Sequence, residues 1–159
     1  EQEVFRFKKD QVRRATVARI RSIVEATLPQ RCTVLVASKG DEELLDLPGR
    51  IGWHFPQLED GTYAGYYPSN SDDAIAQLEV LRTKGASAIV FPDSAFWWLE
   101  HYEGLRQHLD QRHRRTYEGQ MCMIYSLEPS EAHAEPTHTT RSGAEGFIVP
   151  QRSPSRNGS

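Results

Sequence analysis

"CTVLVAS", residues 32–38, is a continuous apolar run rich in β-branched side chains. A strand exposed on one face alternates apolar and polar residues. An unbroken run of this length is the mark of a strand covered on both faces, as in a parallel sheet flanked by helices. Working outward, residues 10–28 carry Val12, Thr16, Ile20, Ile23, Val24 and Leu28 at close to helical spacing, and Pro29 ends the pattern. On the other side, "KGDEELLDLPG" reads as a turn and a short helix leading to a second, weaker strand, "IGWHF" (51–55).

Residues 56–70, "PQLEDGTYAGYYPSN", form a tyrosine- and glycine-rich loop of a length that in compact domains signals function or disorder. Ser71 is a suitable N-cap, Asp72 and Asp73 suit the positive end of a helix dipole, and Gly85 sits where a C′ glycine belongs. "ASAIVFP" (86–92) gives a third strand. Asp93 or Ser94 then caps a helix running to about residue 113, and "QMCMIYSL" (120–127) gives a fourth strand. The alternation of helices and strands predicts an α/β fold: a single Rossmann-like three-layer domain over residues 1–127, with a mostly parallel sheet of about four strands. From residue 128 to 159 the chain is rich in Pro, Ser, Thr and Gly, and it reads as a flexible, disordered linker or tail.

The bulk numbers exclude several classes. A domain of 159 residues can bury about 70% of its extended-chain surface, and 38% hydrophobic with 26% charged residues is an ordinary globular composition. The net charge of −3 argues against a dedicated nucleic-acid binder. The arginines at 13, 14, 19, 21, 112, 114 and 115 lie in helical segments and read as solvated faces. No run of about 18 apolar residues is present to span a membrane, and "EQEVFRFKKD" lacks the apolar core of a signal peptide. Cys32 and Cys122 read as two reduced, buried thiols of a cytoplasmic protein. With Glu1 in place of an initiator methionine, the chain reads as a fragment beginning mid-chain.

In open α/β sheets, ligands bind outside the carboxyl ends of the strands. That edge collects Ser38, Lys39, Asp41, His54, Gln57, Tyr63, Tyr66, Asp93, Ser94 and Trp97 as ligand-binding candidates. Of these, only His54 and Asp93 offer themselves as catalytic bases, and no G-x-S-x-G elbow accompanies them. "SKGD" admits two readings, a phosphate-holding turn or an ordinary strand-to-helix turn capped by Asp41; it is neither a Walker loop nor a dinucleotide turn. Trp98, Tyr102, Leu105 and Leu109 follow one helical stripe toward the sheet, while Trp97, His101, Gly104 and His108 form its neighbour. Trp97 either covers the rim or offers a flat face to a sugar ring, a base or a partner protein. No metal site is expected, because His101 and His108 lie about two helical turns apart. No cofactor motif is present.

The segments "TVLVASKGDEELLDLPGRIGWHFPQ" and "GTYAGYYPSNSDDAIAQLEVLRTKGASAIVFPDSAFWWLEHYEGLRQHL", with the final strand, resemble an uncharacterised α/β domain. That domain accompanies bacterial glycosyltransferase and sometimes methyltransferase modules in surface-polysaccharide biosynthesis. The resemblance covers about residues 12–127 and carries no catalytic residues with it. It implies a non-catalytic accessory role in glycan assembly: binding a saccharide, a nucleotide-sugar or a neighbouring glycosyltransferase module. The alternatives are a small transferase or hydrolase using His54 or Asp93, and a pure protein–protein interaction module.

Overall fold

The computed structural model describes residues 2–128; the expected tail from residue 129 onward lies outside the described residues. Eleven elements follow one another, beginning with helix α1 (Gln2–Thr27) and strand β1 (Thr33–Val36). A 3-10 helix (Glu42–Leu45) leads to β2 (Ile51–His54), and the long loop delivers the chain to α2 (Ser71–Thr83). After β3 (Ala86–Pro92), a 3-10 turn (Asp93–Ala95) precedes α3 (Trp97–His101) and α4 (Glu103–Arg112). Strands β4 (Arg114–Glu118) and β5 (Cys122–Ser126) complete the sheet.

The fold is mixed α/β, with one open five-stranded sheet in the order β2-β1-β3-β5-β4. β1 pairs parallel with β2 and with β3, whereas β5 runs antiparallel to both β3 and β4. β4 is therefore parallel to β3 one place out, and β5 fills the gap. This corrects the expected four-stranded, mostly parallel sheet. The missed strand, "RRTYE", is an edge strand with a charged, exposed pattern, the kind of sequence that discourages edge-to-edge pairing. Only Gly119, Gln120 and Met121 separate it from β5, so close a connection that the pair has to be antiparallel.

Alternate residues of β1 feed two cores. Val34 and Val36 join Ala88, Val90 and Ile124 against Val17, Ile20 and Val24 of α1 and Leu28 just beyond it. Leu35 and Ala37 join Ile89, Phe91 and Tyr125 against α2, α3 and α4. Covering both faces explains the unbroken apolar run that opened the sequence reading, and each fully buried Leu or Ile contributes about 1.5–3 kcal/mol. Gly52 is obligatory: a Cβ there would stand 2.3 Å from the Leu45 carbonyl oxygen, so the 3-10 helix lies directly on β2.

The expected stripe of Trp98, Tyr102, Leu105 and Leu109 is buried throughout. The helix carrying it is not continuous. It breaks at Tyr102 (φ −103°, ψ 76°), whose buried hydroxyl donates to the Pro68 carbonyl at 2.7 Å. Asn70, not Ser71, caps α2, accepting from the Asp73 amide at 2.9 Å. Ser71 Oγ instead accepts from the Gly104 amide at 3.0 Å, where α4 comes so close that a Cβ would lie 2.7 Å from Ser71 Cβ. Neither Asp93 nor Ser94 makes a side-chain cap. Gly85 follows α2 at φ +122°, as a C′ glycine does. No helix among the described residues is long and apolar enough to cross a membrane.

Candidate functional site

The strand order reverses at β1, with β2 on one side and β3 on the other, so the turns after these three strands meet at one edge. Four of the ten candidates form one knot there. The Gly40 amide donates to Ser38 Oγ at 3.2 Å, and Ser38 Oγ lies 2.6 Å from His54 Nδ1. His54 Nε2 lies 3.0 Å from Glu42 Oε2. A neutral ring satisfies every group: the serine hydroxyl donates to Nδ1, and Nε2–H donates to the carboxylate. Gln57 Nε2 donates to the His54 carbonyl at 2.9 Å, and the Tyr63 ring sits 5.6 Å from the His54 ring.

Lys39 and Gly40 both take positive φ, 55° and 87°, so the turn curls tightly beneath Tyr63. A Cβ at Gly40 would meet that ring at 3.1 Å. Lys39 is exposed. Asp41 is a structural cap, accepting from the Glu43 amide at 3.0 Å and from Arg13 of α1 at 2.8 Å. "SKGD" thus forms a strand-to-helix turn capped by Asp41.

The chemistry of the knot is turned inward. Ser38 is 2% exposed and His54 3%, while the Glu42 side chain is 82% exposed. A serine nucleophile needs the opposite arrangement, with its hydroxyl open and the carboxylate behind the ring. Ser38 and His54 do touch, and both are buried.

Asp93 and Ser94 are exposed at the end of β3. The Asp93 amide donates to the Met121 carbonyl at 2.9 Å. Burial, with the Asp93 charge added, pushes the Cys122 thiol up to about 11. Trp97 is half-buried, its ring met edge-on by Tyr67 at 5.0 Å and flanked by Trp98 at 5.7 Å and His101 at 6.0 Å. Burial, then the charge and hydrogen bond of Tyr67, push the Tyr63 hydroxyl up, so these two loop tyrosines are neighbours.

Tyr66 stands apart from the knot. It is 56% exposed and borders a groove of about 410 Å³ between the long loop and α2, which also takes in Gln57. A second groove, of about 440 Å³, lies between α3, α4 and the antiparallel strands and contains none of the ten candidates.

Sequence reasoning missed Glu42 and Tyr67, both adjacent to residues it chose. It also missed a cluster on the helical side. Glu79 Oε2 of α2 lies 2.9 Å from His108 Nε2 and 3.2 Å from His113 Nε2, and Arg82 Nε donates to Glu79 Oε1 at 2.6 Å. Burial disfavours the Glu79 charge, but the hydrogen bonds from His108, Arg82 and His113 outweigh it and hold the carboxyl at about 2. Burial pushes the His113 imidazole below its ordinary value despite Glu79. The expectation of no metal site considered His101 with His108. The ring that joins His108 is His113, the residue closing α4 in an extended conformation (φ −129°), where helical spacing no longer applies.

Compared with protein families, curated proteins and solved structures, the chain shows no match to any of them.

Proposed function

We propose that this chain is a non-catalytic, Rossmann-like accessory domain of a glycan-assembling enzyme, holding a saccharide or nucleotide-sugar beside the carboxyl ends of β1, β2 and β3. A glycosyltransferase module is its partner and the cytoplasm its setting. The observation that carries the reading is the groove between α2 and the long loop that leaves the carboxyl end of β2. Its volume of about 410 Å³ falls in the range of small-molecule sites. Exposed Tyr66 offers a ring face, with Leu58 and Val80 as apolar neighbours. Gln57, Glu59, Gln77 and Lys84 supply donors and acceptors around it. A sugar presents the complement: an apolar ring face with hydroxyls around its rim.

The non-catalytic part is supported by the inward-facing Ser38–His54 pair. A second reading, a docking module, is favoured by the first half of α1, where Val4, Phe5, Phe7 and Val12 are exposed.

A thermal-shift screen of the chain against nucleotide-sugars, sugar phosphates and short glycans tests the proposal. A ligand at about 100 times its dissociation constant adds about 2.7 kcal/mol, and Tyr66→Ala removes that gain without lowering the unliganded melting temperature. A flat screen leaves the docking module as the better reading. Turnover abolished by His54→Ala in a folded protein would restore the enzyme.

A further inference from the structure

The side chains of Glu79, His108 and His113 converge from two elements that the sequence separates by 29 residues or more. Their donor atoms all lie within 4.8 Å of one another. From the Glu79 oxygen to the two ring nitrogens the separations are 2.9 and 3.2 Å. Donors around a tetrahedral zinc ion, with bonds of about 2.0–2.1 Å, stand roughly 3.3 Å apart. The triangle is therefore the right size to close on an ion with little movement.

We propose that Glu79, His108 and His113 form a binding site for a divalent ion of the zinc class, clipping α2 to the end of α4. Two imidazole nitrogens and one carboxylate oxygen are a common zinc ligand set, with water completing the tetrahedron. Both rings now turn Nε2 toward the same oxygen. On binding, each ring carries its proton on Nδ1 and gives its Nε2 lone pair to the ion.

Arg82 holds Oε1 at 2.6 Å and so aims Oε2 at the rings, the orienting role of an outer partner. Its positive charge selects as well. Magnesium and calcium bind through oxygen ligands and charge, and here they meet one carboxylate beside a guanidinium; an ion that takes imidazole nitrogen is favoured instead. The His113 side chain is 8% exposed and that of Glu79 29%, so the site is walled by protein yet open to ion entry on the Glu79 side.

The test uses the full chain, stripped with a chelator and titrated with zinc chloride by calorimetry, alongside thermal melts in zinc and in magnesium. One zinc per chain is expected, with a rise in melting temperature in zinc only. His108→Gln and His113→Gln each lower the affinity by more than roughly tenfold, the least that losing even an outer partner costs. His133→Gln with His138→Gln leaves zinc binding intact. Unchanged binding in the first two variants, loss of binding in the last, or no zinc bound at all overturns the site. Should a variant fail to fold, cobalt bound to the unmodified chain decides. Visible bands of a nitrogen–oxygen set without thiolate charge transfer support the site; thiolate charge transfer moves the metal to Cys32 or Cys122 and rejects it.

Discussion

Two histidine–carboxylate networks lie in the same small domain and are built in opposite senses. At the strand edge, His54 is buried, its serine partner is buried, and the carboxylate of Glu42 faces water. On the helical side the carboxylate of Glu79 is the hub, receiving His108, His113 and Arg82, and it is the most exposed of the three proposed ligands. The first arrangement keeps its serine and imidazole paired inside the protein, with only the carboxylate in water. It fixes the turn after β1 against the end of β2. The second points two ring nitrogens at one oxygen and leaves a donor triangle of a size an ion can fill. Residue type alone does not separate a structural network from a binding site. The direction in which the network opens does.

That contrast can be broken most directly at His54. His54→Ala leaves the buried Ser38 hydroxyl without its acceptor and opens a hole beneath Tyr63, so it should cost about 3 kcal/mol in urea unfolding with an unchanged slope. A loss below 0.5 kcal/mol would mean that the edge network is not structural.

Cys122 reports on the same buried end of the sheet. Its thiol is raised from 9.0 to about 11, which lowers the thiolate fraction near neutral pH by about a hundredfold. Iodoacetamide should therefore label Cys122 of the native protein slowly at pH 8, faster as the pH climbs through 9 toward 11, and at the ordinary rate once the chain is unfolded. The raised value has the same sign in stability. Folding is favoured fully below pH 9, and that contribution fades as the pH rises toward 11. Rapid native labelling at pH 8 would show that this end of the sheet is open.

Glu79→Gln sharpens the other side. With a chelator present the hydrogen bonds and the ion pair with Arg82 are at stake, and the amide oxygen still accepts from a histidine, so a cost of about 1 kcal/mol is expected. The smallest effect belongs to Glu42→Gln. Its side chain stands in water, and the change should stay within about 0.5 kcal/mol by the same urea measurement. If Glu42→Gln proved as damaging as His54→Ala, the carboxylate would be an integral part of the knot and the two networks would be alike.

Much of the fold was legible along the chain because it rests on local rules. The two-sided burial of β1, the bounds of β3, the Gly85 stop and the Trp98–Leu109 stripe follow from periodicity and from the backbone limits of glycine and proline. So does the gathering of Ser38, His54, Gln57 and Tyr63, since all four lie at or beyond the carboxyl ends of β1 and β2, which pair in one sheet. β4 was illegible because an edge strand exposed to water carries no apolar alternation. The break at Tyr102 was illegible because the Pro68 carbonyl that its hydroxyl meets lies 34 residues away.

The amino-acid sequence by itself determined the α/β class and the buried strands, because burial and turn chemistry are written residue by residue. Tertiary structure alone decided the strand order beyond β3, the inward turn of Ser38 and His54, and the meeting of Glu79 with His108 and His113. Each of these depends on which way a side chain points once distant elements pack, and a contact between helices leaves no period in the sequence to read.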